Sequence, residues 1–258
     1  LLIDEMGPVD YGPGEALGAP WHPHRGFETV TYLLDGRMRH EDSAGNSGEL
    51  NPGDVQWMTA GRGIIHCEEP HEEFLKTGGR THGFQIWVNL PSSHKMMEPR
   101  YQEVPSTESP IVEQDGVWAR VIAGECMGTT SSIDTKIPIT LIHVKMKPES
   151  SLVQQLQADL NGMIYVFGGG INLENETRVK KSPIAFGIGA KQGIQDGELA
   201  LLSEGEEIVI KSQEGAEFLI FAGPELNEPI ERYGPFVMNT KEEIHQAFSD
   251  YQNGTFVN

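Results

Sequence analysis

Two short runs place metal-ligand side chains at i and i+2: His22-Pro23-His24 and His66-Cys67-Glu68. In an extended strand, side chains at that spacing point to one face. Two such strands side by side would aim three imidazoles and a carboxylate at one point. That donor set suits iron, manganese, nickel, copper or zinc, and no thiolate set competes with it. On an octahedral ion it leaves two positions open, one for a substrate oxygen and one for dioxygen. A tetrahedral zinc held by the same residues would be closed and structural.

The neighbours of these runs have expected roles of their own. Cys67 lies between His66 and Glu68, so on a strand it faces the other way. Glu28 follows His24 by four residues; on a continuing strand it would share that face, as an alternative ligand or a partner of one. His40 and Asp42 form a third i, i+2 pair on a polar strand, where they could orient an imidazole that binds the metal. Trp21, Phe27, Trp57 and Met58 are expected either to line an apolar pocket beside the metal or to fill the core. His71, His82, His94, His143 and His245 stand alone and are read as structural or solvent-facing. Gly168-Gly169-Gly170 is no nucleotide loop, because no helix follows and the spacing of a dinucleotide fingerprint is missing.

The elements that must position these residues are strands. Thirty glycines and sixteen prolines separate short β-branched and aromatic runs at Thr29–Leu34, Asp54–Met58, Gly83–Leu90, Val117–Ala123, Ile139–Met146, Met163–Phe167, Glu207–Lys211 and Phe218–Ala222. Many short strands at such spacing predict an all-β barrel or sandwich. Thr240 with Glu243 three residues later is a capping box. Ile244, Ala247, Phe248 and Tyr251 then form an apolar stripe, so a C-terminal helix is expected, ending near Asn253-Gly254.

The chain also repeats itself. Tyr32-Leu33-Leu34-Asp35-Gly36 is similar to Tyr165-Val166-Phe167-Gly168-Gly169, and Gly83-Phe84-Gln85-Ile86-Trp87 is similar to Glu217-Phe218-Leu219-Ile220-Phe221. Pro52-Gly53-Asp54 and Glu204-Gly205-Glu206 read as equivalent turns. At the offset of 133 that relates Tyr32 to Tyr165, His22-Pro23-His24 falls on Gln155-Leu156-Gln157, so the second copy would keep the barrel and lack the ligands. The expected division is a metal-binding domain over 1–115, a second barrel over 116–234 and a helical tail over 235–258.

Composition excludes other classes. A net charge of −19 repels phosphate backbones, and the longest basic run is Lys180-Lys181, so direct nucleic-acid binding is not expected. No run is long and apolar enough for a membrane span, and no secretory signal is visible. Cys67 and Cys126 are read as free thiols in a reducing compartment, hence a cytoplasmic protein, or a nuclear one in a eukaryote. Leu1-Leu2-Ile3 reads as part of a strand, which implies residues before it.

The runs His22-Pro23-His24-Arg25-Gly26-Phe27-Glu28-Thr29-Val30, Asn51 through His66 (NPGDVQWMTAGRGIIH) and Gly234-Pro235-Phe236-Val237-Met238-Asn239-Thr240 together resemble the pirin family of the cupin superfamily. Gln85-Ile86-Trp87-Val88-Asn89-Leu90 fits as well. The cupin pattern is kept in part, with Gly61 where a proline usually precedes Gly-x-x-His. The resemblance implies two cupin (jelly-roll) barrels face to face, the N-terminal one carrying iron and the C-terminal one empty. It implies metal ligands at His22, His24, His66 and Glu68. Some members resemble quercetin 2,3-dioxygenases, which open a flavonol ring with dioxygen. Others bind partner proteins, such as transcription factors or metabolic enzymes, under control of the iron redox state. The expected function is therefore a mononuclear iron (Fe2+) dioxygenase acting on a planar phenolic substrate, with Mn, Ni, Cu, Co or Zn as other candidate metals. Glu68 would serve both as ligand and as proton acceptor. The alternative is a redox-dependent regulatory binding protein without turnover.

Overall fold

The computed structural model of the chain describes residues 1–157, 159–174, 193–202 and 205–257. Lys180-Lys181 and Glu204 of the expected second turn lie outside them. The chain forms two compact units, Leu1–Glu108 with Leu226–Asn258, and Ser109–Glu225.

In the first unit the strands are β1 (Leu2–Tyr11), β2 (Ala19–His24), β3 (Phe27–Asp35), β4 (Met38–Asp42), β5 (Ser47–Leu50), β6 (Val55–Thr59), β7 (Ile64–Pro70), β8 (Gly79–Asn89) and β9 (Arg100–Val104). A short helix, α1 (Glu72–Thr77), precedes β8. They build two sheets, ordered β1-β8-β3-β6-β9 and β2-β7-β4-β5. The runs expected at 29–34, 54–58 and 83–90 fall in β3, β6 and β8, where β-branched and aromatic residues suit a pleated, buried surface. The Asn51-Pro52-Gly53-Asp54 turn is closed by the Asn51 N–H donating to Asp54 Oδ2 at 2.7 Å, which sets β6 against β3.

One glycine decides how the sheets are joined. Gly26 has φ +89°, and a Cβ there would lie 2.0 Å from the Val237 carbonyl oxygen. Only glycine takes that backbone without strain. It lies between the end of β2 in one sheet and the start of β3 in the other. Gly61, at the position where cupins usually have proline, has φ +51°. A pyrrolidine ring fixed near −65° cannot adopt that angle.

In the second unit the strands are β10 (Ile111–Gln114), β11 (Val117–Ala123), β12 (Glu125–Cys126), β13 (Thr129–Thr130), β14 (Thr140–Met146), β15 (Ser150–Gln155), β16 (Leu160–Leu173), β17 (Gly193–Gln195), β18 (Leu199–Leu201), β19 (Glu207–Ser212) and β20 (Ala216–Pro224). The main sheet runs β10-β11-β14-β20-β16-β19-β15, and β17 and β18 also pair with β16. The internal repeat is visible in the pairing. The matched segments pair in both units, β3 with β8 and β16 with β20, but not in the same register: Tyr32 sits opposite Phe84, whereas Tyr165 sits opposite Leu219. Gln155 and Gln157 lie just before β16, as His22 and His24 lie just before β3, but both glutamines are exposed. The interior is a continuous apolar cluster that includes Val117, Ala119 and Val121 together with Ile142, Val144, Ile164, Phe218 and Ile220.

After Glu225 the chain rejoins the first unit through β21 (Glu231–Tyr233), β22 (Phe236–Met238) and α2 (Lys241–Gln252). The capping box on Thr240 and Glu243 is formed in both directions, and Asn253 caps the C-terminal end. Phe236, Met238, Ile244, Ala247 and Phe256 pack as one cluster against Ile65 of β7. Two buried cations tie this segment down. Arg25 donates to Asp250 Oδ2 at 2.6 Å and to the Arg62 carbonyl, with its guanidinium 4.4 Å from the Phe256 ring. Lys95 Nζ donates to the carbonyls of Gly26 and Val237 and to Asn89 Oδ1 at 2.8–3.0 Å. Among the described residues no helix is long and apolar enough to cross a membrane.

Candidate metal centre

The second sheet of the first unit carries the ligand-type residues in register. His22 of β2 is paired with His66 of β7, and His66 is paired on its other side with Asp42 of β4. One step along, Glu68 is paired with His40. Paired residues share a face, so His22, His24, His66, Glu68, His40 and Asp42 all point inward. Thr31, Gln56, Met58, Gln85 and Trp87 face them from the other sheet. The hydrogen bonds between sheets fix this: Thr31 Oγ1 donates to Glu68 Oε1 at 2.7 Å, and Gln56 Nε2 donates to His40 Nδ1 at 3.0 Å.

Nitrogen atoms of His22, His24 and His66 lie within 4.8 Å of one another. The rings are 4.3–5.0 Å apart between centroids. The His22 Nδ1–H donates to the Pro20 carbonyl at 2.7 Å and the His24 Nδ1–H to the Pro235 carbonyl at 3.2 Å. A carbonyl only accepts, so both rings carry their proton on Nδ1 and present the Nε2 lone pair. His66 is wholly buried, and among the described residues its Nε2 has no hydrogen-bond partner. Burial, reinforced by repulsion from His22, lowers the His24 pKa to about 3. Burial with the neighbouring histidines pushes His66 down as well. Neutral imidazoles with free lone pairs are the form that binds a metal. An orphaned buried nitrogen among them is the position a cation would satisfy, so the residues present fit a divalent transition metal.

Glu68 lines the same cavity as His22 and His24, but its close group is a different one, with His40 and His66. The cavity measures about 310 Å³ and is also lined by Ala19, Gln85, Trp87, Gly234 and Pro235. Such a volume lies within the range of small-molecule sites. Trp87 meets His24 edge-on at 5.4 Å and packs on Phe27 at 4.3 Å. Gln85 Nε2 donates to Thr31 Oγ1 at 3.3 Å, so Gln85, Thr31 and Glu68 form a chain along the wall.

Other expected site residues lie elsewhere. Glu28 does not share the face of His24. The turn at Gly26 moves it to the opposite sheet and to the outer parity of β3, where Thr59 Oγ1 donates to it at 2.6 Å. Trp57 is paired with Val30 on that same outer parity and does not line the cavity. Trp21 points away from its neighbours His22 and Pro20 and is 52% exposed. Phe27 and Met58 are on the inner side. Phe27 supports Trp87, and Met58 packs with Ala60 and Ile64. Cys67 and Cys126 are free and buried. Gln85, Trp87 and Pro235 were not expected at the site. Gln85 and Trp87 carry a readable signal, an i, i+2 pair on an expected strand, whereas Pro235 comes from the far end of the chain.

Residues 1–88 match the family described as Pirin, and residues 141–257 match the Pirin C-terminal cupin domain. Human pirin is 41% identical over 98% of this chain and 81% of its own length. A Pseudomonas aeruginosa protein named putative quercetin 2,3-dioxygenase is 40% identical over 98% of this chain and 83% of its own. A solved Acinetobacter baumannii structure described as quercetin 2,3-dioxygenase superposes with a TM-score of 0.89 at 36% identity, covering 99% of this chain and 85% of that one. Matches of this identity and coverage, on a two-unit β-fold with its histidine cluster in the first unit, place the chain in the pirin family of cupins.

Proposed function

We propose that the chain is a metal-dependent dioxygenase that opens an electron-rich planar phenolic such as a flavonol, with Fe2+ as its metal. The observation that carries this reading is the orphaned His66 Nε2, facing the lone pairs of His22 and His24 beside a cavity walled by Trp87. The quercetin dioxygenase names of the Pseudomonas and Acinetobacter relatives support the substrate class.

His22, His24 and His66 would hold the ion, with Glu68 beside them. When bound, the ion supplies Lewis-acid charge and redox capacity. The chain's own groups do the rest. Thr31 holds Glu68 Oε1, which leaves Oε2 to accept the proton of a substrate hydroxyl, a general-base role. Trp87 and Pro235 offer flat apolar surface to a planar ring and displace water from it. The Gln85 side chain, held by Thr31, presents its carbonyl oxygen to a second hydroxyl.

The test is anaerobic loading with Fe(II), Mn(II), Co(II), Ni(II) or Cu(II), then oxygen uptake with quercetin. Uptake with at least one metal is expected. Its absence with all of them sinks the dioxygenase reading. Partner capture that changes between Fe(II) and Fe(III) would then favour the regulatory alternative.

A further inference from the structure

The three clustered imidazoles are not oriented alike. Backbone carbonyls, which can only accept, settle the proton of His22 and of His24. His66 Nδ1 instead faces another imidazole nitrogen, His40 Nδ1, at 3.4 Å. An imidazole nitrogen can donate or accept, so this contact alone does not say where the His66 proton sits. The answer lies one residue further out. His40 Nε2 faces Asp42 Oδ2 at 3.4 Å, and both side chains are buried. The Asp42 carboxylate is an acceptor in its other contacts: Oδ1 takes the main-chain N–H of Ala44 and of Asn46, and Oδ2 takes Asn46 Nδ2.

We infer that Asp42 and His40 are positioning residues that set the tautomer of His66 and thereby aim its lone pair at the metal. His40 must donate from Nε2 to Asp42, so its Nδ1 is an acceptor. Two groups converge on that acceptor, Gln56 Nε2 at 3.0 Å and His66 Nδ1. His66 therefore carries its proton on Nδ1, and Nε2 is left as a lone pair facing His22 and His24. Tyr101, stacked on His40 at 5.0 Å and 23°, holds the ring plane. The inference rests on the metal reading above, yet it makes a claim about the metal-free protein too.

Asp42→Asn tests it with almost no change of shape. The two main-chain donors keep an oxygen at the Oδ1 position, so the new amide nitrogen faces His40 and donates to its Nε2, with Asn46 turning its own amide to offer an oxygen in place of Nδ2. The His40 proton moves to Nδ1, Gln56 turns its amide oxygen towards it, and His66 Nδ1 must become an acceptor, so that His66 carries its own proton on Nε2. Two-bond 15N–1H spectra of the metal-free protein read both tautomers directly. Wild type should show His66 as Nδ1–H, and D42N should show it as Nε2–H. Chelator competition with Ni(II) should show affinity falling about 10–100-fold in D42N, the usual cost of losing such an outer partner. Gln56→Leu, which leaves the Asp42–His40–His66 chain in place, should stay within about threefold.

Wild-type His66 found as Nε2–H overturns the inference without any variant. So does D42N binding Ni(II) as wild type does, or two Ni(II) per chain with His66 Nδ1 as a ligand. Failure of wild type to bind Ni(II) at all would overturn the metal reading instead, and the metal-free spectra would still decide the tautomer.

Discussion

The interiors of the two units differ more than their strands do. Both units set neighbouring antiparallel strands from the same repeated motif, β3 with β8 and β16 with β20. In the second unit the inward positions are Val, Ile, Leu and Phe in one apolar cluster. In the first, the equivalent space holds His22, His24, His40, Glu68 and Gln56, each tied to a partner across the barrel or to a main-chain carbonyl. Burying such groups is costly unless they are hydrogen-bonded. The first unit thus gives up apolar packing for a network, and the second keeps it. One unit buries a network of ligand-type polar side chains and the other an apolar core.

The sharpest way to break this contrast is to exchange losses between the units. His22→Ala with His24→Ala should abolish metal binding, measured as metal per chain by elemental analysis, while the fold persists. Phe218→Ala should cost about 3–5 kcal/mol of stability in denaturant melts, with metal content per folded chain unchanged. Equal metal loss in both variants would end the division of labour. Glu68→Gln should lower turnover by about 10²–10⁴-fold, the range for a general acid–base group, read as oxygen uptake with quercetin at matched metal content.

Acid should weaken both units. His24, buried and beside His22, has its pKa lowered from 6.5 to about 3. The unfolded chain therefore binds a proton that the fold excludes, and stability falls as pH drops from about 6.5 towards 3. In the second unit burial raises Glu217, but the hydrogen bonds from His143 and Lys145 prevail and bring it to about 2, below its ordinary 4.5. Its contribution is intact above pH 4.5 and is lost only on the way down to about 2. Burial lowers the His143 pKa in the second unit too, so hydrogen exchange on the metal-free protein should find both units loosening as pH falls below about 6.5. The smallest effect is expected at Trp21→Ala, outside the cavity: within about 0.5 kcal/mol of wild-type stability, as for most surface changes, and with unchanged oxygen uptake.

The sequence was most legible where period and position coincide. His22, His24 and His66 stand on strands whose alternation is preserved, and the capping box at Thr240 is a local device that forms from neighbours alone. Alternation failed where the chain leaves one sheet for another. Counting four residues on from His24 puts Glu28 on its face, but the positive φ of Gly26 between them breaks the count. The aromatic type of Trp57 suits either a pocket wall or the core, and one-residue parity on β6 decides for the core, where it is fully buried. His40 and Asp42 carried the right spacing, but their link to His66 depends on strand pairing between β4 and β7. Pro235 is beyond sequence reasoning of this kind, since its contact with His24 exists only once the fold is closed.

That contact has a consequence for how the protein is made. His22, His24 and His66 leave the ribosome early, but the carbonyl that orients His24 and the wall at Gly234 and Pro235 belong to the stretch translated after the whole second unit. Arg25 and Lys95 wait for the same stretch. A nascent chain paused after its first barrel strands would hold three imidazoles with one of them unaligned. The orientation of His24, and with it the wall of the proposed metal site, is thus completed only by the segment that follows the second unit.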